Sequence, residues 1–88
     1  MNYLNPKKTG LALGKLMGGL HLMWTIVVAL GWGQELVNFS MWAHMVAVPV
    51  VVQPFDVSAA ATVIVIATLI GGIIGYVFAH IWNWLNRG

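Results

Sequence analysis

Residues 69–80 read LIGGIIGYVFAH and lie within a longer apolar run, residues 57–82, that contains no Asp, Glu, Lys or Arg. As an α-helix rising about 1.5 Å per residue, this run would extend about 40 Å. That length exceeds the hydrocarbon core of a bilayer, which is about 30 Å thick. The run therefore predicts a transmembrane helix over about residues 57–84, which crosses with tilt or projects beyond the core.

A shorter apolar run near the N-terminus predicts a second span over about residues 9–32. Residues 16–32 carry no charged side chain, and we expect the helix to begin near Thr9, with Lys15 extending its ammonium group toward the headgroups. A cleaved signal peptide also has a basic start and an apolar middle. This run is long, however, and lacks an Ala-x-Ala-like cleavage site, so we interpret it as retained.

The composition agrees with a membrane protein and excludes several classes of function. Hydrophobic residues make up 60% of the 88 positions and charged residues 7%, whereas about a quarter of the residues are charged in typical globular proteins. The four cations are too sparse for a nucleic-acid-binding surface. The chain has no cysteine, and therefore no disulfide, thiolate metal site or thiol nucleophile. It contains no nucleophile–base pair, HExxH motif or phosphate-binding loop, so we predict a non-enzymatic protein.

The charged residues predict the orientation of the two spans. The cations flank the outer ends of the spans: Lys7, Lys8, Lys15 and Arg87. The connection between the spans has no cation and contains both acids, Glu35 and Asp56. By the positive-inside rule, both termini should face the cytoplasm. The aromatic belts would consist of Trp82 and Trp84 on that side and of Trp32 and Trp42 on the other.

The outer connection, residues 33–56, is more structured than a loop. Apolar residues recur at helical spacing, which predicts a short helix that is either interfacial or re-entrant. The residues of this apolar side are Leu36, Phe39, Ala43 and Val46. The following valines, with Pro49 and Pro54, favour an extended path whose backbone needs water, a neighbouring segment or a cavity. Asp56 and Ser58 are N-cap acceptors for the second span.

Small residues recur every fourth position in both spans. In the second span they are Ala67, Gly71, Gly75 and Ala79, and in the first they are Gly10, Gly14 and Gly18. Such stripes let two helix backbones approach closely in lipid, where apolar side chains gain no hydrophobic energy from association. The sequence leaves open whether the stripes join the two helices of one chain or helices of different chains.

The three histidines are candidate polar sites in or near the spans. If Lys15 and Trp82 mark the same interface, antiparallel spans place His21 near the level of Tyr76, where it can bond the phenol or a backbone carbonyl. The alternative is a neutral packing histidine. His80 lies with Tyr76 and Asn83 on a flank beside the small-residue stripe and is expected to meet another subunit or the cytoplasmic interface.

A candidate metal site lies in the sequence MWAHM. Met41, His44 and Met45 would offer thioether and imidazole ligands, which suit Cu(I). Methionine is also a common apolar gap-filler, so the same residues can simply pack. His44 lies on the opposite side of the membrane from His80, so the histidines cannot converge within one chain. The sequence names no cofactor.

Several segments resemble a family of uncharacterised small two-span bacterial inner-membrane proteins, a domain of unknown function. The similar segments cover nearly the whole chain and are NPKKTGLALG, HLMW, WAHM, PF and IGYVFAHIWNWL. The resemblance implies a two-span membrane fold and assigns no chemistry to any residue.

The fold class expected from the sequence is an all-α membrane protein, one domain over residues 1–88, built as a two-helix hairpin. Its predicted partners are the lipid bilayer and copies of itself, with self-assembly through the glycine stripes as a possible pore or transport component. The alternatives are an accessory subunit of a larger membrane complex and a copper-handling membrane protein. The order of span, short helix, extended segment and span resembles simple cation channels, but the chain lacks their Thr-Val-Gly-Tyr-Gly filter.

Overall fold

The computed structural model describes residues 3–87, which form helices and no strand. The helices are α1 (Pro6–Ala29), α2 (Gly33–Ala43) and α3 (Val57–Leu85). Helices α1 and α3 are long and apolar enough to cross a membrane, and only 17% and 11% of their most apolar windows are buried. Because a core helix of a soluble protein would be mostly buried, this exposure favours contact with lipid. The predicted single domain also includes residues 1, 2 and 88, which lie outside the described residues.

Helix α1 begins at Pro6, three residues before the expected start at Thr9. The Asn5 side chain accepts a hydrogen bond from the Lys8 backbone N–H at 3.1 Å, and Pro6 occupies the first turn. A capping asparagine followed by proline is a strong helix start, because proline has the helical φ and lacks the amide hydrogen that would go unpaired there. The helix ends at Ala29, and the chain turns at Gly31, where φ is +85°.

Helix α3 begins after Asp56, which is its N-cap. One carboxylate oxygen of Asp56 accepts hydrogen bonds from the backbone N–H groups of Ser58 and Ala59, at 2.8 and 3.3 Å. Ser58, also expected to cap the helix, lies within the first turn, where its carbonyl accepts from the Thr62 hydroxyl. The 29 residues of α3 give it a length of about 43 Å.

Helix α2 lies beside the end of α1 and makes no contact with α3. The apolar residues Leu36 and Phe39 are exposed rather than packed on the other helices. Val46, expected on the same helical face, lies beyond the end of α2, because the chain leaves the helix after Ala43 and passes through a positive φ at Met45.

The extended segment that follows is attached to α2 by one side chain. The Gln34 amide donates to the Val50 carbonyl and accepts from the Val52 N–H, each at 2.7 Å. In an extended chain, alternate residues direct their backbone polar groups to the same edge. Gln34 therefore pairs with one edge of the segment, the edge of the even-numbered residues, as a neighbouring strand would.

Candidate functional site: the helix seam and its two ends

The two stripes of small residues face each other within one chain and form the contact between α1 and α3, here called the seam. Every predicted stripe residue is buried. The seam consists of Gly10, Gly14 and Gly18 from α1 and of Ala67, Gly71, Gly75 and Ala79 from α3. Among the described residues, Ala67 and Ala79 are the only buried hydrophobic side chains. The core of this molecule is therefore backbone packed on backbone rather than a cluster of large side chains.

The approach of the helices is close enough to require glycine at several seam positions. A Cβ atom at Gly75 would lie 2.6 Å from the Thr9 carbonyl oxygen, and one at Gly71 would lie 2.7 Å from the Leu13 carbonyl oxygen. At Gly18 a Cβ atom would overlap the Thr68 hydroxyl. Real Cβ atoms essentially never approach other atoms this closely, so any side chain at Gly71 or Gly75 must push α1 away.

These contacts fix the register of the helix pair and correct the expected position of His21. Gly75 meets Thr9, Gly71 meets Leu13 and Tyr76 lies against Gly10, so the helices are antiparallel and Tyr76 is near the level of Gly10. His21 is eleven residues further along α1, about 17 Å away. The predicted contact between His21 and Tyr76 is therefore wrong. The Nδ1–H of His21 donates instead to the Met17 carbonyl of its own helix at 2.8 Å.

The predicted metal ligands lie at the end of α2. The Nδ1–H of His44 donates to the Ser40 carbonyl at 2.6 Å. Met45 follows the turn and is 93% exposed, while Met41 is half-buried. Within residues 3–87 no group of three or more His, Asp or Glu side chains is arranged to hold a metal ion. The thioether and imidazole site stays a prediction that depends on Nε2 of His44, the ring nitrogen opposite the bonded one.

At the other end of the molecule, Asn83 joins the two ends of the chain. Its side-chain oxygen accepts from the Leu4 N–H at 2.7 Å, and its amide nitrogen donates to the Leu4 carbonyl at 2.8 Å. One turn earlier in α3, the rings of Tyr76 and His80 meet edge to face, with centroids 4.7 Å apart and an interplanar angle of 64°. The flank predicted from Tyr76, His80 and Asn83 therefore lies at the end of the molecule that holds the termini. There Asn83 bonds the backbone of Leu4.

Two open grooves lie beside the seam. One, near α2, has a volume of about 420 Å³ and is lined by both long helices and the extended segment. The other has a volume of about 740 Å³, lies between α1 and α3 toward the chain termini, and has two lysines on its rim, Lys7 and Lys15. The sequence did not identify three residues at these grooves. Gln34 bonds the extended segment beside the smaller groove, and Thr68 and Gly72 line the larger one. Only Gly72 carried a signal, as a neighbour of the stripe.

No known family model matches the chain, and comparison with curated proteins and with solved structures found no match. The resemblance to small two-span membrane proteins therefore stays a prediction.

Proposed function

We propose that this chain is a non-enzymatic integral protein of a bacterial inner membrane that crosses the bilayer twice, as an α1–α3 hairpin, and self-assembles as a pore or transport component. The exposed apolar surface of both long helices supports the membrane location. Orientation is supported by the charges, since Lys7, Lys8 and Arg87 lie at the end that holds the termini, and Glu35 and Asp56 at the other. Both termini are then cytoplasmic.

In this proposal α2 lies in the outer interface rather than re-entering the membrane. A re-entrant segment must be covered by protein or line a water-filled cavity. Helix α2 contacts only α1 among the helices of the described chain, and Phe39 and Trp42 are 62% and 75% exposed. An apolar exposed side with two aromatic rings is typical of a helix that lies at the boundary between headgroups and acyl chains.

The glycine stripes do not supply the self-assembly surface in this proposal, because the seam within each chain already fills them. This changes the prediction that self-assembly uses the glycine stripes, for which the sequence left open whether they join helices of one chain or of different chains. Assembly must therefore use a surface that remains open after α1 and α3 have packed, and the extended segment offers one.

The open edge of the extended segment is the observation that carries the proposal of self-assembly. Gln34 pairs with Val50 and Val52 on one edge. Val51 directs its N–H and carbonyl to the opposite edge, where no partner occurs among residues 3–87. The Val51 side chain is 82% exposed. An exposed apolar edge with unpaired backbone is a template for pairing with another strand, and proteins normally avoid leaving such an edge open.

A second copy supplies a matching edge if the two chains are related by a two-fold axis perpendicular to the segment. The same residues of both chains then pair antiparallel, which is the self-complementary geometry of a symmetric dimer contact. Two such edges satisfy each other's backbone groups at the membrane surface. Larger assemblies need an additional contact between dimers.

The experiment is a native mass measurement of the full chain, purified in detergent without any partner. The parent and Val51→Thr, which keeps the branched shape and the N–H, should form one discrete oligomer. Val51→Pro, which removes the N–H, should shift the mass toward the monomer. A parent that is monomeric, or a Val51→Pro variant that assembles like the parent, would contradict the proposal. A monomeric parent would instead favour an accessory subunit of a larger complex.

A further inference from the structure

The larger groove has an apolar floor and a cationic rim. Its floor is formed where α1 and α3 lack side chains, at Gly10, Gly14 and Gly72. A Cβ atom at Gly72 would meet only the Gly10 carbonyl oxygen, at 3.7 Å. The space above Gly72 is therefore open, whereas a Cβ atom at Gly10 or Gly14 would point across the seam into the backbone of α3. Exposed apolar side chains, among them Leu11 and Ile73, form the walls.

No Asp or Glu of the described residues lies near the lysines on the rim. Lys7 and Lys15 are eight residues apart, about 12 Å along α1. The chain has two acids, Glu35 and Asp56, and both lie at the opposite end. In the register set by the seam, Asp56 is level with the end of α1, about 20 Å from Lys15. Within residues 3–87, Lys15 thus has no acidic side chain to pair with above the apolar groove, which is costly at membrane depth.

Both cations lie toward the end of the groove that holds the chain termini. Side chains of an α-helix tilt toward its N-terminus, so Lys15 extends back along α1 toward Lys7. Tyr76 lines the same end of the groove and lies level with Gly10 across the seam. Its ring is held against His80, and its hydroxyl is a further hydrogen-bond donor at the groove.

We propose that this groove binds an anionic phospholipid, with an acyl chain on the glycine floor and the phosphate between Lys7, Lys15 and Tyr76. This inference rests on the proposed membrane location but not on self-assembly. A free phosphate ion would leave the apolar floor of the groove unfilled. A neutral acyl chain would leave the lysines on its rim unpaired. A second copy of this chain in the same orientation would bring its own lysines to the same depth, where like charges repel.

The test uses the full chain in a zwitterionic detergent, with phosphatidylglycerol and phosphatidylcholine of identical acyl chains as probes, and native mass spectrometry to count bound lipid. Phosphatidylglycerol should bind at low stoichiometry per chain and more tightly than phosphatidylcholine. Lys15→Gln should weaken its binding about fivefold, the effect of one cation near an anionic headgroup. Lys8→Gln is the matched control, because Lys8 is exposed on the same helix and does not line the groove.

A second pair of variants tests the acyl-chain part of the site. Gly72→Leu fills the floor and should reduce phosphatidylglycerol binding, whereas Gly19→Leu, at an exposed position with no atom near its Cβ, should leave it unchanged. Equal binding of the two lipids, equal effects of Lys8→Gln and Lys15→Gln, or displacement of the lipid by inorganic phosphate would overturn the inference. Oligomer mass is read from the same spectra, and partition of the protein into the aqueous phase in a detergent phase separation would refute the membrane location itself.

Discussion

Replacing Gly75 by alanine should separate α1 from α3. The added Cβ would lie 2.6 Å from the Thr9 carbonyl oxygen and 3.0 Å from both the Gly10 Cα and the Leu13 Cβ. These atoms belong to the backbone or to a Cβ, so no side-chain rotation relieves the overlap. Since ordinary contact begins near 3.4 Å, α1 must move away by about 0.8 Å, the difference between that distance and 2.6 Å.

The expected cost follows from two opposing effects. A gap of about 0.5–1 Å removes a quarter to a half of the dispersion energy of the contacts that it opens, and overpacking typically costs about 1–3 kcal/mol. Alanine is the better helix former, which contributes about 0.5–1 kcal/mol in the opposite direction. We expect Gly75→Ala to reduce the stability of the helix pair by about 1–2 kcal/mol.

Gly72→Ala is the matched control, because it makes the same chemical change three residues away in the same helix. Its Cβ would lie 3.7 Å from the nearest atom, the Gly10 carbonyl oxygen, which is ordinary contact. Only the gain in helix propensity remains, so this variant should be as stable as the parent or more stable by up to about 1 kcal/mol.

The measurement is an SDS titration of the protein in mixed micelles. Energy transfer between dyes on cysteines introduced at the exposed Ala12 and Leu85 reports separation of the helices, and the chain has no native cysteine to interfere. Circular dichroism, recorded in parallel, distinguishes separation of intact helices from loss of helix. Equal midpoints for Gly75→Ala and Gly72→Ala would refute the reasoning that backbone contact at Gly75 holds the pair together.

Two further predictions concern topology and metal binding. A reporter enzyme that is active only outside the cytoplasm should be active when inserted near Gln53 and silent when fused after the C-terminus, because the cations lie at the end with the termini; the reverse pattern would refute the orientation. Anaerobic titration with Cu(I) should show no tight stoichiometric binding, since one ring nitrogen of His44 is engaged by Ser40 and Met45 is 93% exposed. A saturable site that His44→Ala abolishes would instead indicate copper handling.

The helices and the stripe could be predicted from the sequence because both depend on local pattern. The charge-free run of residues 57–82 predicts a helix of membrane length, and spacing by four identifies Gly71 and Gly75 as residues of one face. The spacing carries no information about which helix covers that face. Only the structure pairs Gly75 with Thr9, and so places the stripe inside one chain.

The register was mispredicted because Lys15 is a poor marker of membrane depth. Its long side chain lets the ammonium group reach the headgroups from a backbone position well inside the span. Aligning Lys15 with Trp82 therefore predicts a register that differs from the observed one. The bonds of Gln34 and Asn83 could not be predicted for another reason. Both amides bind backbone groups, in segments 16 to 79 residues away, and backbone groups carry no sequence signature.

The bonds between Asn83 and Leu4 hold the residues that precede α1 against the last turns of α3. In topological terms, the backbone of this protein is nearly a closed ring. A short linker from Arg87 to Tyr3 should complete the ring without straining the helices, and the chain can then be opened in the exposed connection after Met45. Such a circular permutant keeps the seam and both grooves, yet carries its new termini at the opposite end of the helix pair, which the proposed topology places on the other side of the membrane.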